Sequence, residues 1–357
     1  MKSNLNNLTR INIQNLSPYQ SARRIGGHGD TWLNANESPM SALFKCRVES
    51  FNRYPECQPN NLISAYADYV GLFRKEILVT RGADEGIELL IKAFCEPKKD
   101  AIIYCPPTYD MYAINAKIAN VKIKEIPILK NTWKIDLFNL QASLDGVKLI
   151  YICNPNNPTG NIFSKKDLII LLQVTFNRCL VVIDEAYIEF SSKDSMVSYL
   201  KEFPNLIILR TLSKAFALAG IRCGFTLANE EIINILHKVI SPYPISTVVT
   251  DIAIQALEKN EIKNMQNRVI KLNKNRVWLI NKLKKNNFVK KIFDSHANYI
   301  LVKFYMFKRV FQHLWEKGII IRNQDHKINL QGCLRISIGS DKECLRLIEE
   351  LKNLSKI

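Results

Sequence analysis

The sequence has no apolar run long enough to cross a membrane. Its most hydrophobic stretches, CLVVID and NLIILRT, have the length of buried strands. Its start, MKSNLNNLTRINIQNLSPYQSARR, lacks the apolar stretch of a signal peptide. No C-x-x-C pair occurs among the nine cysteines, and an odd, scattered set with no export signal argues against a disulfide frame or a zinc site. A cytoplasmic chain with reduced thiols is expected. Acidic residues are the scarcer charged class, 33 against 50 Lys and Arg, for a formal net charge of +17. The lysines are nonetheless dispersed, and no zinc finger, RNA-binding signature or basic zipper accompanies them. A nucleic-acid partner is therefore not expected, and a basic nucleic-acid-binding protein stays a distant alternative. There is no internal repeat or low-complexity linker, so two lobes in a chain of 357 residues should pack closely.

What is present is an alternation. From about residue 75 to 240, apolar strands (EILVT, DAIIYCPP, VKLIYICNP, CLVVIDEAY, NLIILRT) are separated by helical patterns such as GADEGIELLIKAFCE and SKKDLIILLQVTF. Continuous apolar strands between helices predict an α/β fold, a mostly parallel sheet covered on both faces. From about residue 250 the texture changes. DIAIQALEKNEIKNMQNRVIKLNKNRVWLINKLKKN reads as one long helix, followed by short strands (ANYILVKF, GIIIRN, CLRISIG) and a last helix, DKECLRLIEELKNL. That part is expected to form a smaller α+β domain. In parallel sheets ligands bind beyond the carboxyl ends of the strands. Asp84, Tyr109, Asn157, Asp184, Tyr187 and Lys214 all fall there.

Each of these has a chemical reading. Asp184 closes the strand of VVIDEAYIEF, with Tyr187 three residues on. A carboxylate at a buried strand end needs a cation or hydrogen-bond donors; it either caps the next segment or faces a protonated pyridine nitrogen. NPNNPTG, residues 154–160, fixes a tight loop that holds the Asn157 amide where it can donate to a phenolate oxygen. TRGADEGIE is strand, glycine turn and helix start, which turns the N–H groups of Ala83 and Asp84 toward an anion. In TLSKAFALAGIRCG, Thr211 and Ser213 add hydroxyl donors and Arg222 a guanidinium suited to phosphate, around Lys214 in a small, apolar setting. Together these parts predict a site for pyridoxal 5'-phosphate and no metal. Lys214 joins its aldehyde, Asp184 faces the ring nitrogen, Asn157 and Tyr187 bind O3', and Tyr109 stacks on the ring. Thr211, Ser213, Arg222 and the helix start at Ala83 and Asp84 hold the phosphate.

With those segments in hand, the chain resembles the fold-type I aminotransferases over nearly its whole length. Within them it is similar to the histidinol-phosphate aminotransferase subfamily, to which SPYQSARRIGG, LNANESP, RYPECQP, CPPTYDMY, GFTLANEEIINIL and SPYPIST fit in order. The resemblance implies a fold-type I architecture: an arm (1–29) contributing to the small domain and the interface, a large cofactor-binding domain (30–250) and a small domain (251–357). It implies a homodimer in which Tyr54 of one subunit reaches the cofactor phosphate of the other. It further implies that Arg335 binds the anionic group of each substrate, helped on the phosphate side by Arg322 and Tyr19, with Asn157 also facing the substrate. The implied reaction is amino-group exchange between histidinol phosphate and 2-oxoglutarate, with Lys214 as proton carrier. A threonine-phosphate decarboxylase or an aromatic amino-acid aminotransferase keeps the same cofactor set and is the alternative. One departure is Asp110, where this family more often has glycine; it adds a negative charge near the ring.

Overall fold

The alternating apolar runs become the strands of a seven-stranded sheet. Its order is Ile77–Thr80, Gly224–Ala228, Leu206–Thr211, Leu180–Asp184, Val147–Cys153, Ala101–Tyr104, Lys122–Glu125. All neighbours are parallel except Gly224–Ala228, which runs antiparallel to the strand on either side. This computed structural model describes residues 5–354 except Ile25 and Ser50; residues 1–4 and 25 of the expected arm and 355–357 of the expected small domain lie outside the described residues. Along each central strand the side chains alternate between two apolar layers. Ile150, Ile152, Val181, Ile183 and Ile208 face one layer, and Leu149, Tyr151, Val182, Ile207 and Leu209 face the other. Because both faces are covered, the strands carry no polar alternation, which is why they read as continuous hydrophobic runs. The register places Asp184 beside Cys153 on one side and Leu209 on the other, so the strand ends bearing the predicted polar residues lie level.

A second sheet of five strands has the order Thr31–Leu33, Ile319–Asn323, Cys333–Ser337, Tyr299–Phe304, Val289–Ile292. Its first strand pairs parallel with Ile319–Asn323, and the remaining pairs are antiparallel. Thr31–Leu33 therefore belongs to the small sheet although it lies past residue 29, where the sequence reading ended the arm; a three-residue strand is too short to show its partner through periodicity. The single long helix expected from residue 251 is two, Thr247–Ala256 and Lys259–Leu283. The break falls at Leu257 and Glu258, with Glu258 extended (ψ 145°). It sends the first helix against Asn60–Val70 and the second against the C-terminal helix Asp341–Leu354. No glycine or proline marks it, because packing against two different partners imposes it.

Two features fix the strand ends. Arg210 is buried and donates from Nε to Glu185 at 2.8 Å, from one terminal nitrogen to Glu189 at 3.1 Å and from the other to Ser195 at 3.0 Å. Glu185 also accepts from the Met196 N–H at 2.6 Å. This network clamps the end of Leu206–Thr211 to the segment after Asp184. Arg210→Ala leaves two buried carboxylates without their cation, and we expect it to destabilise the fold by about 3–5 kcal/mol, read as a fall in the urea midpoint at pH 7. The second feature is Gly224. A Cβ there would lie 2.5 Å from the Gly82 carbonyl carbon, 2.7 Å from the Ala83 nitrogen and 2.8 Å from the Arg210 oxygen. Strand and helix start touch backbone to backbone at this point.

Candidate active site

The level strand ends and the residues leaving Thr31–Leu33 enclose a cavity of about 470 Å³. Thirteen of the fourteen residues singled out from the sequence line it, Lys214, Asp184 and Tyr187 among them. Tyr54 does not. Its side chain is 80% exposed and stacks on Tyr243, centroids 4.5 Å apart.

At one end is the anion cup. The helix Gly82–Phe94 starts here, so its first-turn N–H groups at Ala83 and Asp84 have no intrahelical acceptor. Gly82 is needed for its left-handed backbone (φ 74°), and a Cβ there would meet the Arg222 guanidinium at 2.8 Å. Thr211 donates to Ser213 at 2.8 Å and the Ser213 N–H to Thr211 at 3.1 Å, which locks the two hydroxyls side by side. Arg222 donates to Asp84 at 3.1 Å and weakly to Ser213 at 3.4 Å. Tyr109 donates to the other Asp84 oxygen at 2.9 Å.

In the middle are the amine and the buried acid. Lys214 donates to the Ala35 carbonyl at 3.1 Å, and its ammonium lies 5.7 Å from the centre of the Tyr187 ring. Burial, then the charge of Arg335, pulls its pKa down to about 8. Asp184 accepts from Tyr112 at 2.7 Å and from the Ala186 N–H at 3.0 Å. Burial pushes it up to about 6, against the lowering effect of those two donors. Both groups are thus held near neutrality, as a site built to exchange protons requires. The Tyr187 hydroxyl accepts from Asn36 at 3.0 Å and from Asn157 at 3.4 Å, leaving its proton free to donate into the cavity.

The far end is formed by the five-stranded sheet. Arg322 and Arg335 are directly opposed across its register. Arg335 is buried and donates to the Asn157 side-chain oxygen and to the Asn34 carbonyl, both at 2.6 Å. Arg322 donates to the Gln20 carbonyl at 2.7 Å. Neither has a carboxylate partner among the described residues, and the buried Arg335 Nε and one terminal nitrogen of Arg322 have no acceptor at all. Burial raises the Tyr19 phenol while the neighbouring Arg322 charge opposes the rise, so all three share one corner. Asp110 has an ordinary helical backbone (φ −74°, ψ −20°), so glycine is not needed there, and its carboxylate pairs with Lys327.

Among the residues of this site that the sequence does not mark are Asn36, Ala35, Tyr112 and Lys327. Asn36 and Ala35 reach the centre from a loop; their segment LNANESP offered only its resemblance, since the partners Tyr187 and Lys214 lie 151 and 179 positions away. Tyr112 lies three residues after Tyr109 in a helical pattern with nothing local to mark it, and it is fully buried. Lys327 was lost among many dispersed lysines.

Comparison with known proteins gives the family and the fold. The family described as "Aminotransferase class I and II" matches residues 35–351. The histidinol-phosphate aminotransferase of Buchnera aphidicola subsp. Schizaphis graminum is 75% identical over 353 residues, 99% of each chain. That of Escherichia coli O9:H4 is 53% identical over 348 residues, 98% of each. The histidinol-phosphate aminotransferase from Sinorhizobium meliloti, solved in complex with pyridoxal-5'-phosphate, superposes with a TM-score of 0.86 at 22% identity, covering 98% of this chain and 97% of that one.

Proposed function

The chain belongs to the class I and II aminotransferases, and from that premise we infer that it exchanges the amino group of L-histidinol phosphate with 2-oxoglutarate. The products are imidazole acetol phosphate and L-glutamate, a step of histidine biosynthesis. The observation that carries this reading is the pair of opposed guanidiniums, Arg322 and Arg335, with buried N–H groups unmatched by any acceptor in the cavity that holds Lys214. Two like charges side by side are costly unless an anion joins them. Both amino donors bring one: a carboxylate on glutamate, a phosphate on histidinol phosphate.

The residues also fit pyridoxal phosphate. The cup of Ala83, Asp84, Thr211, Ser213 and Arg222 offers donors to one phosphate, and Asp184, raised by burial, is relieved by a cationic ring nitrogen. Asn157 and Tyr187 are placed to bind O3', Tyr109 to cover the ring, and Lys214 to hold the aldehyde carbon. When bound, the cofactor supplies an electron sink for the charge left at the substrate Cα. Lys214 takes the proton from that Cα and is the group able to return it, a role its lowered pKa allows near neutral pH. Arg335 and Arg322 orient the substrate by its remote anion, and Tyr19 closes over that end. We further propose a cytoplasmic homodimer in which Tyr54, exposed and outside its own cavity, completes the partner's phosphate cup. In the division of labour that follows, the seven-stranded sheet holds the cofactor, and the five-stranded sheet, Thr31–Leu33 included, holds the substrate.

A substrate panel tests this. With 2-oxoglutarate as acceptor, histidinol phosphate should be preferred over phenylalanine and tyrosine by at least about a hundredfold in kcat/KM, because an unfilled anion site leaves buried donors unmatched. Threonine phosphate should release no carbon dioxide. A preference for an aromatic amino acid, or carbon dioxide from threonine phosphate, rejects the reading.

A further inference from the structure

The corner that receives the substrate anion contains a charge pair that the reaction does not require. Lys327 follows the small-sheet strand Ile319–Asn323, and Asp110 sits at the start of the helix Met111–Ala119 on the large sheet. The Lys327 ammonium donates to the Thr108 carbonyl at 2.9 Å and pairs with an Asp110 oxygen. Lys327 is nearly enclosed, with its side chain 12% exposed, while the Asp110 side chain is 43% exposed. Both line the same cavity as Arg322 and Arg335. The pull on the Lys327 pKa agrees with that placement: burial lowers it, Asp110 raises it, and the charges of Arg335 and Arg322 lower it again.

The formal charges of the corner then bear on substrate choice. With Lys327 turned away from a solvated Asp110, three cations, Arg322, Arg335 and Lys327, would face the bound anion, a set suited to a phosphate dianion. With Lys327 committed to Asp110, what remains is two guanidiniums facing a carboxylate. An ammonium has three donors, of which Thr108 and Asp110 take two. Asp110 is open enough to be solvated if Lys327 turns away. We propose that Lys327 is a specificity residue, a third and conditional cation. It leaves Asp110 to donate to the phosphate of histidinol phosphate and stays paired with Asp110 when glutamate binds. One corner thereby serves two anions of different charge. The proposal rests on the reading of function given above and adds to it a residue that discriminates between the two donors.

The test is a comparison of KM in the two half-reactions, made once the wild-type enzyme has been seen to turn over histidinol phosphate. In Lys327→Met the KM for histidinol phosphate should rise about tenfold more than the KM for glutamate, the worth of one charge-assisted hydrogen bond, with kcat changed less than KM. In Asp110→Asn, which frees the ammonium without removing it, the KM for histidinol phosphate should fall severalfold and depend more steeply on salt. A role confined to bracing the two sheets predicts something else: both KM values shift by the same factor in Lys327→Met, and Asp110→Asn weakens binding of both substrates. Either result overturns the proposal. Should Lys327→Met fail to fold, the sign of the Asp110→Asn effect on the phosphate substrate decides alone.

Discussion

Replacing Lys214 with alanine should lower turnover by about four orders of magnitude or more, since in the proposed mechanism one side chain provides both the covalent anchor and the proton carrier. Borohydride treatment of the variant should leave no cofactor fixed to the chain, where the wild type retains it. The cause is visible in the surroundings of the amine. A solvated lysine with a pKa near 10.5 is almost wholly charged at pH 7.5, whereas one drawn down to about 8 is uncharged in about one molecule of four. Burial and Arg335 therefore produce a nucleophile and base at the pH of the cell. A variant that still transaminates would show that the amine is an ordinary buried cation and would remove the basis of the assignment.

Asp184→Asn should cost about two to three orders of magnitude in kcat/KM, because an amide of the same shape cannot balance a positive ring nitrogen. The same residue gives a stability signature in the cofactor-free protein. Burial raises the carboxyl from 3.8 to about 6, so the folded state holds its proton more tightly than the unfolded chain does. The contribution is fully present below about pH 4 and is lost as pH rises through about 6, on the order of 3 kcal/mol in all. Thermal midpoints across pH 4 to 6 should show this slope in the wild type and lose it in the asparagine variant. Equal slopes in the two proteins would mean that Asp184 is not the titrating group.

The fold and much of the site were legible in the chain for one reason: parallel strands buried on both faces leave polar residues only at their ends. Asp184, Asn157 and Lys214 stood out against apolar runs such as LVVID and LIYIC. Features set by contacts between distant segments were not legible. The antiparallel strand Gly224–Ala228 is inserted between Ile77–Thr80 and Leu206–Thr211, a placement that no local pattern encodes. The break at Leu257 and Glu258 is marked in the sequence only by one wider apolar gap, from Leu257 to Ile262. The pairing of Asp110 with Lys327 joins residues 217 positions apart. Asp110 drew notice as a departure from a family pattern, and its partner could be found only in three dimensions.

The backbone contact at Gly224 separates the ways in which the two ends of the cavity can vary. Where helix start and strand are pressed together main chain on main chain, no choice of neighbouring side chain can make room, so the proposed seat for the cofactor's anionic tail tolerates no side chain at position 224. The opposite end is built of long, replaceable side chains on a separate sheet. Exchanging Arg322 or Lys327 there would alter which amino donor is accepted, whereas Arg335 is less free, because its charge also lowers the Lys214 pKa. New specificities can therefore arise there by single substitutions.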